Sequence, residues 1–355
     1  EISKKYNDKV VQLKDEVRIQ EETAVVRFEQ FIEKYPDREE SSGIMFRLAE
    51  LYFDSSLEKF SQEALEADRL LDEQKELEFE PRADFSNSIG LYTRILDLHP
   101  QSGFADAALY MLGWCHREGD SLQQNEDKAI TYFQKLVDDY PDSKFGSQAN
   151  YFIGFYHFDN NDLEKSYEYY RRSFEQSDSE NTFYGLSLYG LAWTEYRRSN
   201  YPSALDLFSK LLDYSELRKK TTGQHTGTRE EALIYSAWSL TDQAEYEGLS
   251  SVEMANKFFN DIGDKPYEAD IYEEMSQLLI KDERPEEAIE IYKYLQSHWP
   301  LAPKNPQYQM EVAKLHGYLN DLDAYNLAIS QLTQDYSENG DWWKANRNNP
   351  EAQDV

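Results

Sequence analysis

Apolar residues recur along this chain at offsets of three and four, in stretches divided by short polar breaks. Residues 147–178, SQANYFIGFYHFDNNDLEKSYEYYRRSFEQSD, carry the pattern in full. Asn160, Asn161 and Asp162 interrupt the periodicity between its two halves, which predicts helix, short turn, helix. Gly154 in the first half and Ser166 and Ser173 in the second are small, and Tyr170 lies between the two serines. Small side chains let two helix backbones approach, and a ring fills the remaining gap.

The same grammar repeats. Ala24, Phe28 and Pro36 reappear as Ser88, Tyr92 and Pro100, as Ala129, Phe133 and Pro141, and as Ala288, Tyr292 and Pro300. Without the proline the pair returns as Ser166–Tyr170, Ala204–Phe208 and Ala255–Phe259, and Ala324–Ala328 loses its ring. Proline suits the end of each second helix, because it cannot continue the hydrogen-bond ladder and biases its predecessor toward extended backbone. First helices align on Ala49, Gly113, Gly154, Ala192, Ala237 and Ser276, and Val10, Leu13 and Val17 predict a first helix over Lys9–Ile19. Second-helix anchors at 24, 88, 129, 166, 204, 255, 288 and 324 fit a unit in the mid-thirties with insertions.

That register resembles the tetratricopeptide pattern, W-x2-L-G-x2-Y…A-x3-F…P with a period of about 34 residues. LGWC at 112–115 and LAWTEY at 191–196 carry it, and His116 and His157 depart from it where the family has tyrosine. The resemblance implies an all-α, right-handed solenoid of about seven or eight helix-turn-helix repeats over residues 1–338. More narrowly, DDYPDSKFGSQANYFIGFYHFDNNDLEKSYEYY, LAWTEYRRSNYPSALDLFSKLLDY and REEALIYSAWSLTD look like bacterial cell-envelope tetratricopeptide proteins. Those are the Tol–Pal coordinator, outer-membrane assembly lipoprotein and gliding-motility-associated groups. The resemblance implies a periplasmic, outer-membrane-associated scaffold, with the cytoplasm as the alternative.

Three segments stand outside the periodic frame. Residues 54–84 form an acidic insertion with Leu57, Ala64, Leu65, Leu70 and Leu71, which predicts an elongated hairpin, with disorder as the alternative. Residues 214–231, YSELRKKTTGQHTGTREE, are polar and rich in Gly and Thr. Their composition predicts a mobile loop, since it does not offset its ordering entropy, or alternatively a partner contact. Residues 339–355 form a polar tail in which Trp342 and Trp343 either cap the last hairpin or meet a further segment.

Charge narrows the choice of partner. Acidic residues number 68 against 37 basic ones, a net charge of −31. Such a surface repels nucleic-acid phosphates and favours a basic or an aromatic and apolar protein segment. A single cysteine, Cys115, excludes a disulfide within the chain. No apolar run approaches the roughly 20 residues that span a bilayer, which leaves peripheral or lipid-anchored association open. Glu1 is not a natural translation start, so a trimmed or mature product is expected.

Motifs for phosphate cradles, dinucleotide loops, nucleophile elbows, zinc helices and calcium loops are missing from the sequence, so neither a catalytic set nor a cofactor is expected. Cys115, His116 and His157 invite a metal reading, but a soft-metal site needs three or four converging ligands. Replacement of the family tyrosine at a helix contact is the simpler account of both histidines. The informative residues lie on the first helices. Counted from the small residue, the next position holds Trp114, Phe155, Trp193 and Trp238, and the third before it holds Tyr110, Tyr151, Tyr189 and Ile234. The fourth after it holds Arg117, Phe158 and Tyr196, and Phe46 and Phe53 occupy matching places earlier. Offsets of three and four place these side chains on one stripe. In tetratricopeptide arrays that stripe lines the concave face. Two readings stand: a groove of aromatic anchors for a partner segment, or rings packed between adjacent helices. The carboxylate clamp known in this fold needs Lys and Asn on the stripe, where rings stand here. The expectation is a non-enzymatic interaction scaffold in an envelope complex; the alternative is a spacer or ring subunit assembling through its edges and ends.

Overall fold

The computed structural model describes residues 2–72, 81–119, 124–338 and 340–352. Among these the chain forms sixteen α-helices, a short 3-10 turn at Pro350–Ala352 and no strand. It divides into two compact units, Glu1–Asn160 and Asn161–Val355.

The first unit contains α1 (Ile2–Lys34), α2 (Glu39–Asp72), α3 (Ser86–Leu98), α4 (Ala105–Glu118), α5 (Glu126–Asp139) and α6 (Gly146–Asp159). Helices α2 and α3 pack as one hairpin and α4 and α5 as the next, while α3 against α4 and α5 against α6 join neighbours. Met45, Leu48 and Ala49 of α2, Tyr92 and Ile95 of α3 and Ala108, Leu112 and Cys115 of α4 form a continuous buried core. Small residues mark the closest approaches, as the repeat pattern requires. A Cβ on Gly113 would stand 2.5 Å from the Phe133 ring. The buried Ser88 hydroxyl donates to the Ala49 carbonyl at 3.0 Å.

Proline closes α3 and α5 two residues past the helix end, at Pro100 and Pro141. The residues before them, His99 and Tyr140, then reach back by one repeat. His99 Nε2 lies 2.9 Å from the Pro36 carbonyl, and the Tyr140 hydroxyl donates to the Pro100 carbonyl at 2.9 Å. A position that ends one helix therefore also ties it to its neighbour.

The second unit runs α7 (Leu163–Glu175), α8 (Thr182–Arg197), α9 (Tyr201–Thr222), α10 (Arg229–Glu247), α11 (Ser251–Ile262), α12 (Glu268–Lys281), α13 (Pro285–His298), α14 (Asn305–Tyr318), α15 (Leu322–Asp335) and α16 (Asp341–Asn346). Hairpins form from α8 with α9, α10 with α11, α12 with α13 and α14 with α15. Helix α7 packs on α8 through Gly190, whose added Cβ would meet the Tyr170 ring at 2.6 Å. Two buried hydroxyl pairs, Ser166–Thr194 at 3.2 Å and Ser173–Ser187 at 2.6 Å, flank that contact.

The turns inside the repeats share one backbone device. Asn161, Ser199, Glu283 and Asn320 have φ of 58–59°, and each stands seven residues after the small residue of its helix, Gly154, Ala192, Ser276 and Ala313. After three of them the next N–H donates to the carbonyl five residues back: Asn200 to Glu195, Arg284 to Leu279 and Asp321 to His316. This left-handed closure satisfies carbonyls orphaned at a helix end.

Two expectations change. No first hairpin exists: Lys9–Ile19 and the following stretch form one continuous helix, because IQEETAVV contains no breaker. Leu13 and Val17 are exposed there, and the Val10 side chain lies outside the described residues. Residues 214–231 are not a loop but mostly the last turns of α9 and the first turn of α10, joined over 223–228 with Gly223 in the left-handed region as C-cap. Contacts that composition does not reveal order them: Arg229 reaches both Glu216 and Asp270, and the Tyr214 hydroxyl donates to the Ser179 carbonyl at 3.0 Å. In the 54–84 segment α2 simply continues to Asp72, while 73–80 lie outside the described residues. In the tail, Trp342 is buried and its indole N–H donates to the Ala302 carbonyl at 2.7 Å, whereas Trp343 is exposed. Asn339 and residues 353–355 lie outside the described residues. The ringless anchor of α15 leaves Ala328 as that helix's one buried residue.

Candidate interaction surface

All eleven rings of the predicted stripe sit on first helices, and each is half-buried. In the first unit Phe53 of α2 meets Trp114 of α4 at 5.2 Å between centroids, and Phe85 stacks on Phe53 at 4.9 Å. Phe46 lies against Tyr92 and Phe104. Tyr110 stacks on Phe145 at 4.7 Å, and Tyr151 packs edge-on to Phe152. The Arg117 guanidinium sits 4.3 Å over Phe152 and 5.9 Å from Phe155, so α6 rings hold the one cation of the stripe. Phe158 is half-buried on the same helix.

The second unit gathers its stripe into one cluster. Trp193 contacts Tyr235 at 4.0 Å, Tyr189 and Tyr196 pack against Trp193, and Tyr196 reaches Trp238 at 6.4 Å. Tyr235 in turn packs edge-on to Trp238 at 5.0 Å. The Tyr196 hydroxyl donates to Asp242 at 3.0 Å. Burial, reinforced by the Asp242 charge, raises the Tyr196 phenol well above its ordinary value. Burial also raises the Asp242 carboxyl, against the hydrogen bonds from Tyr196 and Tyr201 that lower it.

Equal offsets missed some members. Phe104 and Phe145 stand just before α4 and α6 and pack against the stripe, yet the repeated aromatic nine residues before Gly113 and Gly154 was visible in the sequence. Tyr235 escaped because in α10 the ring shifts one residue from the aligned position, Ile234. The metal reading finds no support in the geometry. No group of three metal-ligating residues occurs among the described residues. His116 stacks in parallel on Tyr132 at 5.6 Å and His157 packs edge-on to Tyr156. Cys115 is fully buried, and burial pushes its thiol up to about 12, which makes it inert.

Helical hairpins stacked on their neighbours, closed by a common turn and carrying rings on successive first helices, define a helical repeat protein. Comparisons agree: residues 107–143 match the tetratricopeptide repeat family and residues 147–178 the Sel1 repeat family. Residues 107–143 and 147–178 thus read as repeats of these two kinds. No curated protein matches it. Among solved structures it is similar to the C-terminal part of a TPR repeat-containing protein from Cytophaga hutchinsonii, at 12% identity over 83% of this chain and 90% of that one, with a TM-score of 0.42. A tetratricopeptide repeat protein from Parabacteroides merdae matches at 14% identity over 78% and 92%, with a TM-score of 0.37. The PilF protein of Pseudomonas aeruginosa matches at 14% over 73% and 98%, with a TM-score of 0.35.

Proposed function

We propose that this protein is a non-enzymatic scaffold that binds a segment of a protein partner along the rings of its first helices, within a bacterial envelope complex. The observation that carries this reading is the state of those rings: Phe53 meets Trp114 and Trp193 meets Tyr235 across neighbouring first helices, yet every ring of the stripe stays half-buried. Held by packing, they lose little rotamer freedom on binding, and aromatic side chains dominate binding hot spots. The envelope assignment rests on the likeness of three segments, one of them containing YPDS at 140–143, to envelope repeat proteins. Among the described residues no helix is long and apolar enough to cross a membrane; a peripheral or lipid-anchored association belongs to this reading.

Capture from an envelope extract tests the scaffold. Trp114→Ala and Trp193→Ala are each expected to weaken partner binding by at least about 1–2 kcal/mol while remaining helical. Variants that bind like the parent but melt earlier would assign the rings to packing alone. A second reading, end-to-end assembly, draws on exposed Leu322 and Leu327 of α15 and on Tyr318. Sedimentation at several concentrations separates the two, since assembly by the ends predicts self-association without a partner.

A further inference from the structure

Beside the ring cluster of the second unit lies an open cleft of about 680 Å³, bordered by Tyr201, Pro202, Asp242, Glu245 and Tyr246. No Lys, Arg or His is among its lining residues. Asp242 is held in place by the hydroxyls of Tyr196, at 3.0 Å, and of Tyr201. Two phenol donors fix a carboxylate without neutralising it.

Several acids of this unit are matched by a base. Glu216 and Asp270 meet Arg229, Asp213 meets Lys265, Glu273 meets Lys304, Glu287 meets Arg284 and Glu195 meets Arg198. Asp242 forms no ion pair among the described residues. The contrast holds among the carboxyls raised by burial as well. Asp54 feels Arg47, Glu268 feels His298 and Glu274 feels Lys304, whereas the charges that act on Asp242 are further acids, Glu245 and Asp282. A fixed, partly desolvated anion among like charges favours a cation brought from outside. A bare metal ion does not suit it, since no three ligating groups converge among the described residues.

The rings select the kind of cation. Tyr196 lies 5.7 Å from Tyr201 and 6.1 Å from Tyr235, so the carboxylate is approached across aromatic surface. A planar guanidinium stacks on a ring face and pairs with a carboxylate through two parallel N–H bonds, which a compact ammonium does not do. We propose that this cleft receives an arginine side chain of the bound protein segment, stacked on the tyrosines and paired with Asp242. The inference rests on the scaffold reading and adds the chemistry of one anchor.

The probe is an acetylated, amidated tetra-arginine peptide, titrated into the full chain at physiological salt and followed by tryptophan fluorescence. Asp242→Asn keeps an oxygen for the two hydroxyls and is expected to weaken binding at least tenfold, with Glu245→Gln weakening it less. Glu290→Gln, an exposed carboxylate on α13 outside the cleft, removes the same charge and is expected to change binding less than twofold. Tetra-citrulline, neutral and equal in shape, is expected not to bind, and tetra-lysine to bind more weakly than tetra-arginine. Equal losses in Asp242→Asn and Glu290→Gln would overturn the proposal in favour of a diffuse acidic field, as would lysine binding as well as arginine. Circular dichroism of each variant normalises for folded protein. If Asp242→Asn still captures the envelope partner while Trp193→Ala does not, the arginine pocket fails and the scaffold stands.

Discussion

At Gly113 a single hydrogen in place of a side chain decides how closely two helices meet. The Phe133 ring occupies the space that a Cβ would need, and both residues are buried. Gly190 under Tyr170 repeats the arrangement in the second unit. Gly113→Leu is therefore expected to cost roughly 1–3 kcal/mol through overpacking. Urea unfolding checks this, and an unchanged midpoint would show that the contact yields freely. His116 illustrates the opposite case, in which a departure from the repeat pattern is absorbed: an imidazole stacked on Tyr132 does what a phenol ring would do at the same contact.

Helices of this chain begin and end on local chemistry. Helix α11 carries a complete capping box, with the Ser250 hydroxyl accepting from the Glu253 N–H and the Glu253 carboxylate accepting from the Ser250 N–H. Ser250→Ala should cost about 0.5–2 kcal/mol. Because α11 is a 12-residue helix packed mainly on α10 and α13, the loss should appear first as faster amide exchange in α11 itself. Uniform exchange along the unit would contradict that. Helix α9 teaches a different lesson. Thr221 and Thr222 are weak helix formers, yet α9 runs on to Gly223, because Tyr214, Ser215 and Glu216 find partners in the loop before α8 and in the segment leading into α10.

At the scale of the whole chain, 68 acidic residues against 37 basic ones leave a self-repelling surface. Raising ionic strength from about 0.01 M to about 0.15 M shortens the screening length from about 30 Å to about 8 Å. Melting temperature is expected to rise over that range in a thermal scan. A fall would mean that specific ion pairs such as Arg229–Asp270 outweigh the general repulsion.

The repeat frame was legible in the sequence because each hairpin is a local object. Its small anchors, its ring and its closing proline lie within about 34 residues of one another and meet through neighbouring turns. Even the left-handed turn residue keeps a constant distance from its anchor. What tertiary structure alone decided depends on which side chains meet across separate helices. Only folding brought Tyr235 rather than Ile234 against Trp193, drew the polar stretch after Tyr214 into α9, and set Asp242 of α10 against the hydroxyl of Tyr196 of α8. Spacing along a helix determines which face a residue takes, but the partner on that face belongs to another helix, and one residue of shift there is invisible from within the first.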